Sequence, residues 1–390
     1  MDLVTRFPKL ARHMRRLQVW GYRAFLGIDP WKVVFSCFMG QQYGDNPRCI
    51  SERLHERCPQ AKIVWLFGGG AMDAFGDRLP DYVTARRAKF SEGYRELATA
   101  RVWVDNFTKN NLLTKAKGRQ FYVQTWHGDR PVKKICYDIG GKQPRRLEEQ
   151  CDRVVTGSDF AERIYRTAFR YPGKYLSAGI PRNDVLVEND PEKAKRVRKK
   201  LGVPEGVRLM LYAPTYRDNS MVIPKRAQMD MDRTLDALER RTGEKWLCLL
   251  RTHYFSQGIE LDISRERIID VTKHPDMAEL LLAADLIISD YSTAATDYIL
   301  RDRPAIFYVA DWEEYTASRP VYFDVHDSPF MLASNQEELE ALIEGLTEEK
   351  AKENCRAIRE FFGCHETGRA TDTVCDYIIE RLGSRDRRTD

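Results

Sequence analysis

The sequence has no apolar run long enough to cross a bilayer. No stretch of its 390 residues approaches the roughly 18 consecutive apolar residues that indicate a spanning helix. The N-terminus also lacks the apolar core and the small-residue cleavage site of a secretory signal. These absences exclude a spanning protein, and we expect the chain to work in the cytoplasm.

The nine cysteines lack the spacing of a disulfide framework or a structural metal site. Their number is odd, and no two of them form a C-x-x-C pair. We therefore expect reduced thiols, most of them packed in the interior.

Several nucleotide and metal motifs are also missing. Gly68-Gly69-Gly70 follows a predicted strand without the G-x-G-x-x-G spacing, and there is no P-loop lysine motif, H-E-x-x-H or D-x-D-rich segment. The formal net charge of +5 is small for this length, so we expect no nucleic-acid partner.

Positive charge is concentrated at the N-terminus. Against the single acid Asp2, the first 23 residues carry Arg6, Lys9, Arg12, Arg15, Arg16 and Arg23. Between them, at spacings of three or four, stand Leu3, Phe7, Leu10, Met14, Leu17 and Trp20. This pattern predicts a basic amphipathic helix within 1–28 that lies on an anionic membrane surface. The alternative is a helix whose apolar stripe packs on the protein itself.

After residue 28, short apolar runs alternate with amphipathic segments. The runs predict buried strands at 33–35, 63–67, 102–104, 121–123, 153–156, 208–213, 246–250, 267–270, 285–289 and 304–309. Intervening segments such as 46–58 and 86–98 predict helices. This alternation predicts an α/β protein with parallel sheets.

A charged stretch at 188–206 divides the pattern into two halves. We predict two Rossmann-like domains, 29–190 and 191–390, that face each other across a cleft. Ligands of such sheets bind beyond the carboxyl ends of the strands, so the residues that follow the strands are the candidates for chemistry.

His127 is the candidate general base of the first half. It lies in the segment Gln124-Thr125-Trp126-His127-Gly128, directly after a predicted strand. A neutral imidazole there can accept a proton from an attacking hydroxyl at physiological pH. The alternative is a structural loop histidine.

Two strand ends of the second half carry cations and hydroxyls. Thr215 and Arg217 follow the strand at 208–213, where a guanidinium can bind phosphate oxygens in a bidentate manner. Arg251 and His253 follow the strand at 246–250 and repeat this arrangement. The alternative for both is an exposed strand-to-loop corner.

A third strand end predicts an anion site. Ser289, Asp290, Ser292 and Thr293 follow a predicted strand and precede a helical segment at 294–301. Hydroxyls and free backbone N–H groups at such a point can bind a phosphate, while Asp290 would cap or orient. Together the three strand ends favour a phosphorylated donor.

In combination these segments resemble those of the CDP-glycerol:poly(glycerophosphate) glycerophosphotransferases, which include teichoic acid primases, polymerases and capsule synthases. The similarity runs from about Ser36 to the C-terminal helix. It rests on Tyr43 to Pro47, Gln124 to Gly128, Leu211 to Arg217, Asp270 to Thr293, Arg303 to Tyr308 and Tyr322 to Asp324. Asp129 stands where relatives often have threonine, and Thr293 replaces the second serine of their D-Y-S-S segment.

The resemblance implies a GT-B-like fold and an enzyme peripheral on the inner face of the cell membrane. It implies that the site requires no metal, and it leaves open whether Mg²⁺ binds together with the donor. It places the base on His127, a second essential histidine on His253, a phosphate ligand on Arg217, and hydroxyl ligands on Ser292 and Thr293. The last helix is expected to pack back on the first domain.

The predicted reaction moves a polyol phosphate from CDP-glycerol or another CDP-polyol to a hydroxyl of a lipid-linked or polymeric polyol-phosphate acceptor, releasing CMP. The donor would bind the second domain, at Thr215, Arg217, Arg251, Ser289, Asp290, Ser292 and Thr293. One alternative is a GT-B glycosyltransferase that uses a nucleoside-diphosphate sugar. Another is a catalytically silent protein that binds a lipid-linked polymer.

Overall fold

The computed structural model describes seven stretches of the chain, residues 8–75, 79–88, 91–107, 114–140, 151–215, 228–252 and 265–383. Their strands form two separate sheets, one of seven strands and one of six, and every strand pair is parallel. The predicted α/β class with two parallel sheets is confirmed.

The first sheet has the strand order β3-β2-β1-β4-β5-β6-β7. Its strands are β1 Asp29–Ser36, β2 Lys62–Phe67, β3 Val83–Arg87, β4 Ala100–Asp105, β5 Phe121–Gln124, β6 Arg153–Thr156 and β7 Tyr175–Ser177. Side chains of the central β1, β2 and β4 are buried on both faces, because helices cover both sides of a parallel sheet.

The second sheet has the strand order β10-β9-β8-β11-β12-β13. Its strands are β8 Arg208–Ala213, β9 Trp246–Leu250, β10 Ile268–Asp270, β11 Leu286–Ser289, β12 Ala305–Tyr308 and β13 Met331–Ala333. The neighbours β8 and β11 end side by side, since Ala213 is in register with Ser289.

The helices fall into two groups along the chain. Those before residue 190 are α1 Pro8–Leu26, α2 Asp45–Arg57, α3 Ala71–Phe75, α4 Ser91–Thr99, α5 Asp159–Ala168 and α6 Asp184–Glu188. Those after it are α7 Pro191–Lys200, α8 Met231–Thr242, α9 Met277–Ala283, α10 Thr293–Tyr298, α11 Trp312–Ser318, α12 Gln336–Glu344, α13 Glu348–Phe362 and α14 Ala370–Ile379. In the described part of the chain, no helix is long and apolar enough to span a membrane.

The prediction of a helix over 86–98 is wrong in its first part. The edge strand β3 extends to Arg87, and α4 begins only at Ser91. Three strands were not predicted at all, namely β3, β7 and β13, and each is an edge strand of its sheet. Edge strands are only half covered, so they lack the continuous apolar run that marks a central strand.

The last helix returns to the first sheet. Cys375 and Ile378 of α14 lie in one apolar cluster with Ile50 and Leu54 of α2. The chain therefore crosses between the two sheets twice, once near 181–200 and once near 363–370.

Buried charges connect the two sheets. Asp297 of α10 accepts one hydrogen bond from Arg130, at 2.7 Å, and one from Arg182, at 2.8 Å. Arg130 follows β5 and also pairs with Glu366 at 3.1 Å, while Arg182 follows β7 and pairs with Asp45 at 3.1 Å. Although burial opposes it, Arg182 and Arg130 hold the pKa of Asp297 below its usual value. We call this set of five residues the interdomain ion network.

Replacement of Asp297 by asparagine should destabilise the protein strongly. The neutral amide would leave two buried guanidinium groups short of a carboxylate, a change that costs about 3–5 kcal/mol for a buried pair. Urea unfolding, followed by circular dichroism, measures this loss. The matched control is Asp302→Asn, since Asp302 pairs with Arg359 at 2.6 Å but is 47% exposed. The control should lose less than about 1 kcal/mol, and equal losses in the two variants would contradict the assigned role of Asp297.

Candidate active site

A cavity of about 330 Å³ lies where the carboxyl ends of strands from the two sheets meet. The first half contributes the loop after β5, with His127 and Gly128. The second half contributes residues that follow β8, β9 and β11, among them Thr215, Arg251 and Ser292. This is the position at which parallel α/β sheets bind ligands.

The backbone fixes the tautomer of His127. Its Nδ1 lies 2.8 Å from the carbonyl oxygen of Asn106. A carbonyl oxygen only accepts hydrogen bonds, so Nδ1 carries the proton and Nε2 keeps a lone pair. The imidazole is therefore arranged to accept a proton at Nε2.

Three aromatic rings surround the imidazole. The ring centroid of Phe107 lies 5.5 Å from that of His127, that of Phe38 5.2 Å and that of Trp126 4.1 Å. These rings shield part of the imidazole from solvent, and burial lowers the pKa of His127 to about 4. The side chain is neutral at physiological pH and available as a base.

The backbone around His127 is strained. Eight described non-glycine residues have a positive φ, and three of them, Phe38, Asp45 and Trp126, lie beside His127. Such conformations persist where the surroundings fix them, and they concentrate at functional sites. Here Asn46 contributes, because its side-chain amide donates to the carbonyl oxygen of Trp126 at 3.1 Å.

The loop of His127 touches the first residue of α10. A β-carbon at Gly128 would lie only 3.2 Å from the methyl group of Thr293. Only glycine allows this approach without displacement of the neighbour. The base therefore lies beside the hydroxyls of Ser292 and Thr293, both of which line the cavity.

Arg251 supplies positive charge on the side of the second sheet. Its Nη1 donates to the carbonyl oxygen of His274 at 2.6 Å, and the Asp276 carboxylate acts on its charge only at longer range. Burial lowers its pKa, which indicates a guanidinium poorly compensated by the protein. An anion in the cavity would supply that compensation.

Thr215, Arg251, Ser292 and Thr293 are thus brought together with His127 around one cavity. Ser289 and Asp290 are not among the lining residues. The buried Ser289 hydroxyl donates to the carbonyl oxygen of Ala213, and the Asp290 carboxylate accepts from the backbone N–H of Thr215 at 2.8 Å. These two residues hold the ends of β8 and β11 together, as the orienting role expected for Asp290 requires, and their direct contact with the donor stays a prediction. Arg217 and His253 lie outside the described residues.

Asp129 is also turned away from the cavity. It is buried and accepts hydrogen bonds from the backbone N–H of Gly157, at 2.8 Å, and from the Ser158 hydroxyl, at 2.7 Å. Asp129 therefore anchors the loop that carries His127.

Sequence reasoning missed two cations of the cavity, Lys133 and Arg319. Neither follows a strand end directly, so the rule that selected the other candidates did not reach them. With Arg251 they make a cationic lining, and none of the described lining residues is acidic. Among the described residues, no group of His, Cys, Asp and Glu side chains is arranged to hold a metal ion.

Comparison with known proteins agrees with this geometry. The sequence pattern of the CDP-Glycerol:Poly(glycerophosphate) glycerophosphotransferase family matches residues 21–380. The teichoic acid glycerol-phosphate transferase of Staphylococcus aureus is 30% identical over 371 residues, covering 89% of this chain and 92% of that protein. The teichoic acid poly(glycerol phosphate) polymerase of Staphylococcus epidermidis is 28% identical over 90% of this chain. The match spans only 51% of the length of that polymerase.

Solved structures of the wall teichoic acid polymerase TagF have the same architecture. One superposes with a TM-score of 0.80 at 26% identity and covers 98% of each chain. A histidine-to-asparagine variant of TagF has also been solved after a soak with CDPG. Because the family pattern matches residues 21–380, this chain belongs to the CDP-glycerol:poly(glycerophosphate) glycerophosphotransferase family.

Proposed function

We propose that the protein transfers glycerol phosphate from CDP-glycerol to a hydroxyl of a teichoic-acid-like acceptor and releases CMP. The observation that carries the proposal is the cavity, where a neutral histidine with a lone pair on Nε2 lies with the Arg251 guanidinium and the hydroxyls of Thr215, Ser292 and Thr293, and where none of the described lining residues is acidic. A phosphorylated donor needs that charge, and an attacking hydroxyl needs that base.

The first sheet supplies the base. The acceptor hydroxyl donates its proton to Nε2 of His127, and its oxygen attacks the phosphorus that carries glycerol. The bond between that phosphorus and the bridging oxygen breaks, and CMP leaves with the bonding pair. The new bond is a phosphodiester, and the proton stays on the imidazole until solvent removes it.

The second sheet holds the donor. Arg251 neutralises negative charge on the pyrophosphate, and the hydroxyls of Thr215, Ser292 and Thr293 donate hydrogen bonds to its oxygens. Such a transfer is accelerated chiefly by positioning and by neutralisation of charge on the transferred group. The proposal includes no resident metal, because side chains of the chain itself supply this charge.

We also propose that α1 attaches the enzyme to an anionic membrane surface. The apolar side chains predicted to face the membrane are exposed to solvent wherever the structure describes them. The exposed fraction is 58% for Met14, 56% for Leu17 and 66% for Trp20, and it reaches 86% for Phe25 near the end of the same helix. The opposite side of α1 packs on the protein through Val19, which is 3% exposed. One apolar face is thus used for packing, and the second is open to the acyl boundary of a bilayer. This exposure favours the membrane over the alternative of a fully packed stripe.

Replacement of His127 by asparagine should abolish transfer and spare donor binding. Asparagine cannot accept the proton at the position of Nε2, and a general base contributes about 10²–10⁴-fold to the rate. Steady-state rates measure the first effect, and calorimetry with CDP-glycerol measures the second. His326→Asn is the control, because His326 is half exposed and does not line the cavity.

The pH dependence gives a second readout of the same role. Protonation removes the base as the pH falls through its pKa, so kcat/KM for the free enzyme should decline only near pH 4, the pKa of His127. Wild-type turnover by His127→Asn would remove this histidine from the mechanism.

The leaving nucleotide separates the proposed reaction from that of a glycosyltransferase. With CDP-glycerol and a glycerol-phosphate acceptor, we expect CMP and a new phosphodiester resonance in the phosphorus NMR spectrum. A glycosyltransferase would break the bond between carbon and oxygen and release a nucleoside diphosphate. If a nucleoside-diphosphate sugar is consumed while CDP-glycerol and CDP-ribitol stay inert, the phosphotransferase reaction is refuted.

The combined variant Leu17→Ser/Trp20→Ser/Phe25→Ser should bind anionic liposomes at least about tenfold more weakly. Loss of three apolar side chains that the bilayer would bury removes well over the ~1.4 kcal/mol that corresponds to a factor of ten. Co-sedimentation at matched salt measures this, with Ile139→Ser as the control, since Ile139 is 54% exposed on another element. Equal sedimentation of the combined variant and the wild type would show that α1 does not bind the membrane.

A further inference from the structure

A short antiparallel pairing joins the two halves beside the cavity. The backbone N–H of Lys134 donates to the carbonyl oxygen of Pro320, and that of Tyr322 donates to the carbonyl oxygen of Val132, both at 2.8 Å. Lys133 and Val321 are the paired residues at its centre. We call the segments 132–134 and 320–322 the interdomain clasp.

Two cations of the cavity lie at this clasp. Lys133 belongs to it, and Arg319 directly precedes its second segment. Arg319 is half-buried over the ring of Tyr315, 5.5 Å from the ring centroid, and Tyr315 stacks on the cavity residue Tyr291 at 3.8 Å. The two side chains thus line the cavity from fixed elements, one from each half of the molecule.

The donor contacts proposed above come from a different part of the cavity. Thr215, Arg251, Ser292 and Thr293 all follow strands of the second sheet. Lys133 instead belongs to the segment that carries His127, and its positive charge contributes to the lowered pKa of that base. A cation close to the base is close to the hydroxyl that the base deprotonates.

A growing glycerol phosphate chain presents both groups together. Its terminal hydroxyl is separated from the last phosphodiester only by the carbons of one glycerol unit. An acceptor whose hydroxyl is at His127 therefore has a single negative charge nearby, and an acceptor without phosphate has none. Charge-assisted hydrogen bonds to a phosphate are among the strongest polar contacts available here.

We propose, on the basis of the proposed function, that Lys133 and Arg319 form a subsite for the terminal phosphodiester of the acceptor. The enzyme then selects a chain that already ends in glycerol phosphate over a hydroxyl without an adjacent phosphate. The chemistry recognised is a phosphate, which the donor also carries, so the test must separate the two substrates.

The test compares Lys133→Met and Arg319→Met with the wild type on two acceptors. One acceptor is a short lipid-linked glycerol phosphate oligomer, and the other is a glycerol monoalkyl ether without phosphate. Each variant should raise the KM for the oligomer about tenfold or more, since a hydrogen bond to a charged group contributes about 1.5–3 kcal/mol. The KM for CDP-glycerol and the rate on the ether should stay unchanged.

Lys134→Met is the matched control. It removes the same charge from the same clasp, but Lys134 does not line the cavity, so its kinetics should equal those of the wild type. Lys133→Arg should restore most of the oligomer KM. Calorimetry with glycerophosphoglycerol gives a readout independent of turnover, and binding should be lost in Lys133→Met and kept in Lys134→Met.

Each other outcome has a definite meaning. If the KM for CDP-glycerol rises while that for the oligomer does not, the cations bind the donor and the subsite is refuted. If neither KM changes, the clasp binds no substrate phosphate. Failure of the wild type to release CMP from CDP-glycerol with either acceptor would refute the proposed function, and the subsite with it, whereas CMP release with an unchanged oligomer KM refutes the subsite alone.

Discussion

The carboxylate of Asp297 is the interaction on which the arrangement of the active site depends. Each of its oxygens accepts a hydrogen bond from a different arginine, Arg130 after β5 and Arg182 after β7. Both arginines belong to the first half of the chain, whereas Asp297 belongs to α10 in the second. Buried charges are costly unless they compensate one another, so the three groups favour one mutual geometry of the two halves.

That geometry places the base against the donor side of the cavity. α10 begins at Thr293, which touches Gly128 next to His127. Any shift of α10 relative to the loop of His127 would break the contacts of Asp297. A phosphoryl transfer depends more on position and charge than on covalent participation of the protein. A fixed distance between the base and the donor therefore accelerates the reaction. The interdomain clasp joins the same two halves through a second contact.

The sequence alone predicts those parts of the structure that depend on a local pattern of residues. Central strands such as β2 and β11 appear as continuous apolar runs, and strand ends identified His127, Thr215, Arg251 and the Ser292-Thr293 pair. Edge strands such as β3 carry no such run and were missed. Ser289 illustrates a limit of the strand-end rule, because a hydroxyl at a strand end can face the neighbouring strand instead of the cavity.

The interdomain ion network could not be predicted in the same way. Asp45, Arg130, Arg182, Asp297 and Glu366 are far apart in sequence, and each in isolation is typical of a charged surface residue. Only the crossing of the chain between the sheets buries them together. Lys133 and Arg319 were missed for the same reason, because the pairing that brings them to the cavity joins segments nearly 190 residues apart.

The most direct test of the proposed mechanism is a crystal structure of His127→Asn in complex with CDP-glycerol. We expect a pyrophosphate in contact with Arg251 and with the hydroxyls of Ser292 and Thr293. The phosphorus that carries glycerol should face position 127, with the interdomain ion network intact. A pyrophosphate bound away from Arg251, or a glycerol phosphate directed away from position 127, would contradict the claim that the two halves bring base and donor together in this cavity.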